Sequence, residues 1–250
     1  MEWNLSPARD HGLATRDRLA SPLRERSLGG LVINAAWRRV VRAYLAAAHR
    51  LRVTGRENLP HAGPFVMIAN HASHLDALTL TSVLRGPPAR RVHALAAADT
   101  FFTSVANSAF AAYAINALPV ARKGGGREGM RAMRERLIQD GFVYVIFPEG
   151  TRTRTGALAP FKPGIGMLVA GTDIPVVPCW IEGVFAAWPA VRKLPRPAPV
   201  AVTIGAPLRF AEVTDDAEGW SEVAAACEAA VRGLGGTGTS AGSDTTAIRS

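Results

Sequence analysis

The chain has 250 residues, 48% apolar and 20% charged, a globular composition long enough to bury a core without disulfide or metal staples. Two cysteines, Cys179 and Cys227, exclude a disulfide scaffold and a four-cysteine zinc site. The net charge of +9, carried by 26 Arg and three Lys against 20 acidic residues, suits an anionic partner: a membrane surface, a nucleic acid or a phosphorylated substrate.

Residues 1–30 alternate Arg with Asp and Glu and hold no apolar run of signal-peptide length. They read as a polar, poorly ordered arm. Over 31–52, Ile33, Trp37, Val40, Val41, Tyr44, Leu45 and Ala48 recur at helical spacing, with Arg38, Arg39 and Arg42 mostly off that stripe and Arg50 and Arg52 after it. This basic amphipathic helix fits two settings: a membrane interface, or a packed position on its own domain. A domain over 53–213 follows. Phe65–Ala69 reads as a buried strand, Asp76–Leu84 as a helix and Val92–Ala97 as a strand. The uncharged run from Thr100 to Ala121 is long enough to span a bilayer. Thr103, Ser104, Asn107, Ser108, Asn116 and Pro119 dilute it, so it is expected to form a buried or interfacial helix, Phe101–Ala112, and then a short strand, Ala117–Ala121. Glycines 124–126 lead into a charged helix over 128–139. Phe142–Phe147 is the clearest strand. A short helix at 164–170, strands at 176–181 and 200–204, and a C-terminal helix within 214–232 complete the domain. The tail 233–250 is Gly-, Ser- and Thr-rich and reads as disordered. Strands alternating with helices predict an α/β fold: a single domain with a mostly parallel or mixed central sheet flanked by helices, plus the N-terminal amphipathic helix.

Three polar clusters fall after predicted strands, where sites of α/β sheets collect. The first is Asn70-His71-Ala72-Ser73-His74-Leu75-Asp76. Five residues apart, His71 and Asp76 would sit about 140° apart on one helix; they meet if His71 lies in the turn before it. Asp76 would then set the imidazole tautomer and leave the other nitrogen as a base. The same residues also read as a helix cap, or, with His74, as metal ligands. The second cluster, Arg122 and Lys123 before Gly124-Gly125-Gly126, reads as a phosphate site at a helix start or as a solvated turn. The third is Phe147-Pro148-Glu149-Gly150-Thr151-Arg152, with Lys162 beyond. Its carboxylate and cations can orient a polyol hydroxyl and its phosphate, or form a structural ion pair.

Asn-His-x-Ser-x-x-Asp at 70–76 and Phe-Pro-Glu-Gly-Thr-Arg at 147–152 together resemble the glycerolipid acyltransferases, the family of 1-acylglycerol-3-phosphate acyltransferases. The likeness covers about 50–210 and includes weaker blocks at Leu118–Arg122 and Ile174–Pro178. It implies that His71 is a general base oriented by Asp76. It implies that Arg122 and Arg152 bind the acceptor phosphate, and that Glu149, Gly150 and Thr151 shape the acceptor site. Asn70, Ser73, Lys162 and Pro178 are further candidates, with Pro175–Pro178 lining an acyl or thioester pocket. Ala121 departs from the acidic or amide residue often found before the Arg of the middle block. Cys179 stands where a small apolar residue is usual and reads as a packed thiol.

The implied reaction moves a fatty acyl chain from acyl-CoA or acyl-carrier protein to the free hydroxyl of 1-acylglycerol-3-phosphate. It gives phosphatidic acid, as in phospholipid biosynthesis. It needs no metal and no cofactor besides acyl-CoA as cosubstrate. Ser73 offers a covalent route instead. The expected partners are membrane lipids, the lysophospholipid and the acyl donor, not nucleic acid: no nucleic-acid motif is present and aromatics are 7%. A peripheral position on the cytoplasmic face of a membrane follows. The alternatives are another lysolipid or glycolipid acceptor, or a non-catalytic lipid-binding protein.

Overall fold

The computed structural model describes residues 8–21, 24–25, 27–97, 104–120 and 126–236. In chain order the elements are α1 (Thr15–Leu19), α2 (Leu28–His49), β1 (Arg52–Thr54), β2 (Phe65–Ala69), α3 (Asp76–Val83), α4 (Gly86–Arg91) and β3 (Val92–Ala97). Then come α5 (Val105–Phe110), continued by a π-helical turn over Ala111–Ile115, β4 (Leu118–Val120), α6 (Gly126–Gln139), β5 (Val143–Ile146) and α7 (Gly164–Val169). The last are β6 (Thr172–Glu182), α8 (Val184–Ala187), β7 (Ala201–Ile204), β8 (Leu208–Phe210) and α9 (Ala217–Gly236).

The strands form one eight-stranded mixed sheet in the order β1-β7-β6-β2-β5-β3-β4, with β8 also on β6. From β6 to β4 the neighbours are parallel; β7 and β8 run antiparallel to β6. The sequence of β2, Phe-Val-Met-Ile-Ala, is buried at every position because helices cover both faces. Side chains alternate across a strand. Phe65, Met67 and Ala69 therefore join one core with Leu80, Val83 and Leu84 of the α3 side. Val66 and Ile68 join the other, with Leu137 of α6, Leu168 of α7, and Val223, Cys227 and Val231 of α9. The predicted α/β class and mixed central sheet are what the chain forms.

Several boundaries differ from the sequence reading. The amphipathic helix spans Leu28–His49, not 31–52: Ser27 Oγ accepts from Gly30 N–H at 3.1 Å, and Arg50 turns left-handed (φ 46°) to end it. Arg52 therefore opens β1, beside Ala201 of β7. The helix packs through Gly30, Asn34, Val41, Leu45 and His49, while Leu28, Val32, Ile33 and Val40 stay exposed. The described part of the N-terminal arm is built into the domain. Arg24 is buried, donating to the carbonyls of Leu19 (3.0 Å) and Ala117 (2.9 Å), and burial pulls its pKa down to about 10. The run from Thr100 breaks into α5, the π turn and β4, with residues 100–103 and 121 outside the described residues. No helix among the described residues is long and apolar enough to cross a membrane. The last helix continues past 232 to Gly236, and Gly235 lies close to the Trp180 ring, where a Cβ would come within 2.8 Å. Residues 237–250, the remainder of the predicted tail, lie outside the described residues.

Candidate active site

The parallel strands β2 and β5 are adjacent, so the turns that leave them, Asn70-His71 and Phe147–Glu149, emerge side by side. Two of the three polar clusters thereby become one site. The remaining cluster, Arg122 and Lys123 with the first two of its glycines, lies outside the described residues.

His71 sits in the turn before α3 and Asp76 is the first residue of that helix. Asp76 Oδ2 accepts from His71 Nδ1 at 2.7 Å and from the backbone N–H groups of Ala72 (2.7 Å) and Ser73 (2.8 Å). The carboxylate is fully buried. Because a carboxylate accepts only, Nδ1 carries the proton and Nε2 presents a lone pair. The ring stacks on Phe147, centroids 4.2 Å apart, and borders an apolar cavity.

Glu149 is buried, and both its oxygens bond backbone groups. Oε1 accepts from His71 N–H at 2.6 Å and Oε2 from Ala159 N–H at 2.9 Å. Burial pushes this carboxyl above the ordinary carboxylate range, and the two amide donors partly offset that. The carboxylate ties the His71 turn to the loop beyond β5. Thr153 N–H adds a bond to His71 O at 2.8 Å. Gly150 (φ +72°) lets the chain turn, and a Cβ there would lie 2.8 Å from Lys162 Nζ. Lys162 crosses over Gly150 and lines the cavity; Thr151 is exposed. The Arg152 guanidinium lies against the His74 ring, 2.9 Å from Nε2 and also close to Nδ1. Burial, then the charge of Arg152, holds the His74 imidazole below its usual value.

The other candidates have structural engagements. Asn70 exchanges two bonds with Ile181, donating to its carbonyl (2.9 Å) and accepting from its N–H (2.8 Å), and so joins the ends of β2 and β6. Ser73 Oγ donates to Trp188 O at 2.7 Å and accepts from Leu75 N–H at 3.1 Å in a buried position. That leaves it ill placed as a nucleophile. Among the described residues no three His, Cys, Asp or Glu side chains are grouped so that they could hold a metal ion.

Pro175–Pro178 are not among the residues that line the cavity beside His71. Pro178 is a buried β6 residue opposite Ile68 of β2. It falls between Val176, paired with β8, and Cys179, paired with β7, where a strand edge can do without an N–H donor. The cavity of about 370 Å³ lies on the other side of β2. It is lined by His71, Ala94, Ile115, Ala117, Ile146 and Leu168, among others. Cys179 is buried, and burial pushes its thiol up, as suits a packed residue.

Sequence reasoning missed the pairing of His74 with Arg152 and the seat of Ser73 on the Trp188 loop. Neither has a local signal, since the partners lie 78 and 115 residues apart.

A family model described as Acyltransferase matches residues 50–182, just over half of the chain. A coconut (Cocos nucifera) 1-acyl-sn-glycerol-3-phosphate acyltransferase is 35% identical over 95 residues, 38% of this chain and 29% of that protein. The human 1-acyl-sn-glycerol-3-phosphate acyltransferase alpha is 30% identical over 129 residues, 52% of this chain and 44% of that protein. The chain thus spans less than half the length of these curated relatives. The crystal structure of the 1-acyl-sn-glycerophosphate acyltransferase from Thermotoga maritima shares the fold, with a TM-score of 0.66 at 22% identity over 86% of this chain and 84% of that one. The paired motifs, the sheet that brings them together and the family match have one conclusion: the chain belongs to the acyltransferase family, whose glycerolipid members its motifs resemble.

Proposed function

We propose that the protein is an O-acyltransferase that moves a fatty acyl chain from acyl-CoA, or from acyl-carrier protein, to the free hydroxyl of 1-acylglycerol-3-phosphate, giving phosphatidic acid. The observation that carries this reading is the His71 imidazole, bonded through Nδ1 to buried Asp76 at the edge of an apolar cavity, with the Arg152 guanidinium held by a neighbouring residue of the same turn. An alcohol is a poor nucleophile at neutral pH. In this mechanism Nε2 takes its proton as the oxygen attacks the thioester carbonyl, and Asp76 stabilises the imidazolium. Collapse of the tetrahedral intermediate breaks the carbon–sulfur bond, and the imidazolium returns the proton to the departing thiolate. The acyl chain fits the cavity, whose lining is mostly apolar. Arg152 is the candidate for the acceptor phosphate, by bidentate contact. Arg122 keeps that role as part of the proposal.

The exposed Leu28, Val32, Ile33 and Val40 of α2, with Phe110 of α5, support a peripheral position on a membrane, where a lysolipid resides; the cytoplasmic face is part of the proposal. The test compares wild type with His71→Ala in mild detergent, given lysophosphatidic acid and a long-chain acyl-CoA, with free thiol and phosphatidic acid followed together. Both products should appear at equal rates in wild type, and the variant should be slower by about 10²–10⁴-fold. Thiol release without phosphatidic acid would redirect the search to another lysolipid or glycolipid acceptor. Equal rates in both proteins would remove His71 from the chemistry, and no product in either would favour a lipid-binding role.

A further inference from the structure

The loop between α8 and β7 leaves the sheet on the same side as the candidate site. Its base is fixed. Ser73 Oγ donates to Trp188 O at 2.7 Å, His74 N–H donates to the same carbonyl at 3.3 Å, and Arg196 Nε donates to Ala186 O at 2.7 Å. The Trp188 indole N–H closes the turn by donating to Arg192 O at 2.9 Å. The tip does the opposite of what apolar side chains do in a folded domain: Val191 is 81% exposed and Leu194 74%. Between and beside them stand exposed Arg192, Lys193 and Arg196, and no acidic residue occurs between Glu182 and Glu212. Two large aliphatic groups thus project from a rigid base within a collar of three positive charges.

We propose that this tip, residues 190–196, is a second membrane contact, inserting Val191 and Leu194 into an anionic lipid surface while Arg192 and Lys193 meet the headgroups. Charge complementarity selects that occupant: each cation near an anionic leaflet tightens binding by roughly fivefold. A second copy of the same loop would set three cations against three. The contact is separate from the exposed face of α2. Because its base bonds Ser73 and His74, it would hold the His71 turn next to the bilayer.

The two native cysteines are buried, so Leu194→Cys in the full chain can be labelled selectively with an environment-sensitive fluorophore. Vesicles of phosphatidylcholine and phosphatidylglycerol in equal parts should shift its emission to the blue. Phosphatidylcholine alone should do so far less, and added salt should reverse the shift. Arg192→Gln with Lys193→Gln should weaken partitioning onto the anionic vesicles by roughly tenfold or more. The proposal is overturned by unchanged emission, whether or not the protein sediments with the vesicles. A shift that follows protein concentration without lipid would point instead to self-association and overturn it too. No readout uses turnover, so this proposal and the acyl-transfer reading stand or fall separately.

Discussion

Asp76 gathers three donors on one oxygen. Two are backbone N–H groups that shape the turn, and the third is the imidazole. The residue therefore builds the turn and sets the tautomer at once. Asp76→Asn keeps the size of the group but removes the charge that would stabilise the imidazolium. Turnover should fall by about 10²–10⁴-fold with little change in KM; steady-state kinetics at one pH decide it, and a loss below tenfold would leave Asp76 as a turn-former only. His74 supplies a second expectation. Its pKa is held below 6.5 in the folded chain, so below that pH the unfolded chain binds more protons there. Stability from this group therefore rises with pH up to about 6.5 and is complete above it. Urea midpoints of wild type relative to His74→Gln should climb between pH 5 and 7; parallel curves would mean that the burial of His74 is not felt.

At the scale of elements, β6 does two jobs along its 11 residues. Its first half pairs with β8 and its second with β7, and Pro178 falls at the change of partner. Asn70 then links the carboxyl ends of β2 and β6 through its two bonds to Ile181. Asn70→Ala would leave a buried N–H and carbonyl of Ile181 without that partner. The expected loss is about 2–4 kcal/mol, since an unsatisfied buried polar group costs roughly 1–3 kcal/mol. Equilibrium urea unfolding measures it, and a loss under about 0.5 kcal/mol would show that the amide bridge adds little. Helix α2 shows why amphipathic spacing alone was ambiguous. Val41 and Leu45 of the predicted stripe are buried, while Ile33 and Val40 of the same stripe are exposed. The helix packs along a neighbouring line of Gly30, Asn34 and His49, small and polar residues that a hydrophobicity pattern does not mark.

At the scale of the whole molecule, the apolar cavity draws on β3, the π turn, β4, α6, β5 and α7. No one of these segments carries a pocket by itself. Ala94 of β3 is buried and lines it, so Ala94→Leu should fill part of its volume. If the cavity holds the acyl chain, kcat/KM for the longest acyl-CoA should drop by about tenfold or more, while a short-chain donor is nearly unaffected, since a few methylenes in an apolar pocket are worth roughly 1–3 kcal/mol each. Equal losses across a donor series would place the chain elsewhere.

By itself the sequence determined the α/β class, the bounds of strands β2 and β3 to the residue, and the two polar clusters that follow β2 and β5. Strand periodicity, turn chemistry and clusters of titratable side chains are local properties, and each is written in a few consecutive residues. The family likeness rests on the same short stretches. The tertiary structure decided what those residues touch. It spent Asn70 and Ser73 on the scaffold, turned Glu149 toward two backbone amides, set His74 against Arg152, and built the apolar cavity beside His71 from segments far apart in the chain. It also exposed Val191 and Leu194, whose apolar character alone would have placed them inside. The physical reason is range. A hydrogen bond or a cavity wall joins groups that the sheet order brings together, and that order is set by burial summed over both of its faces.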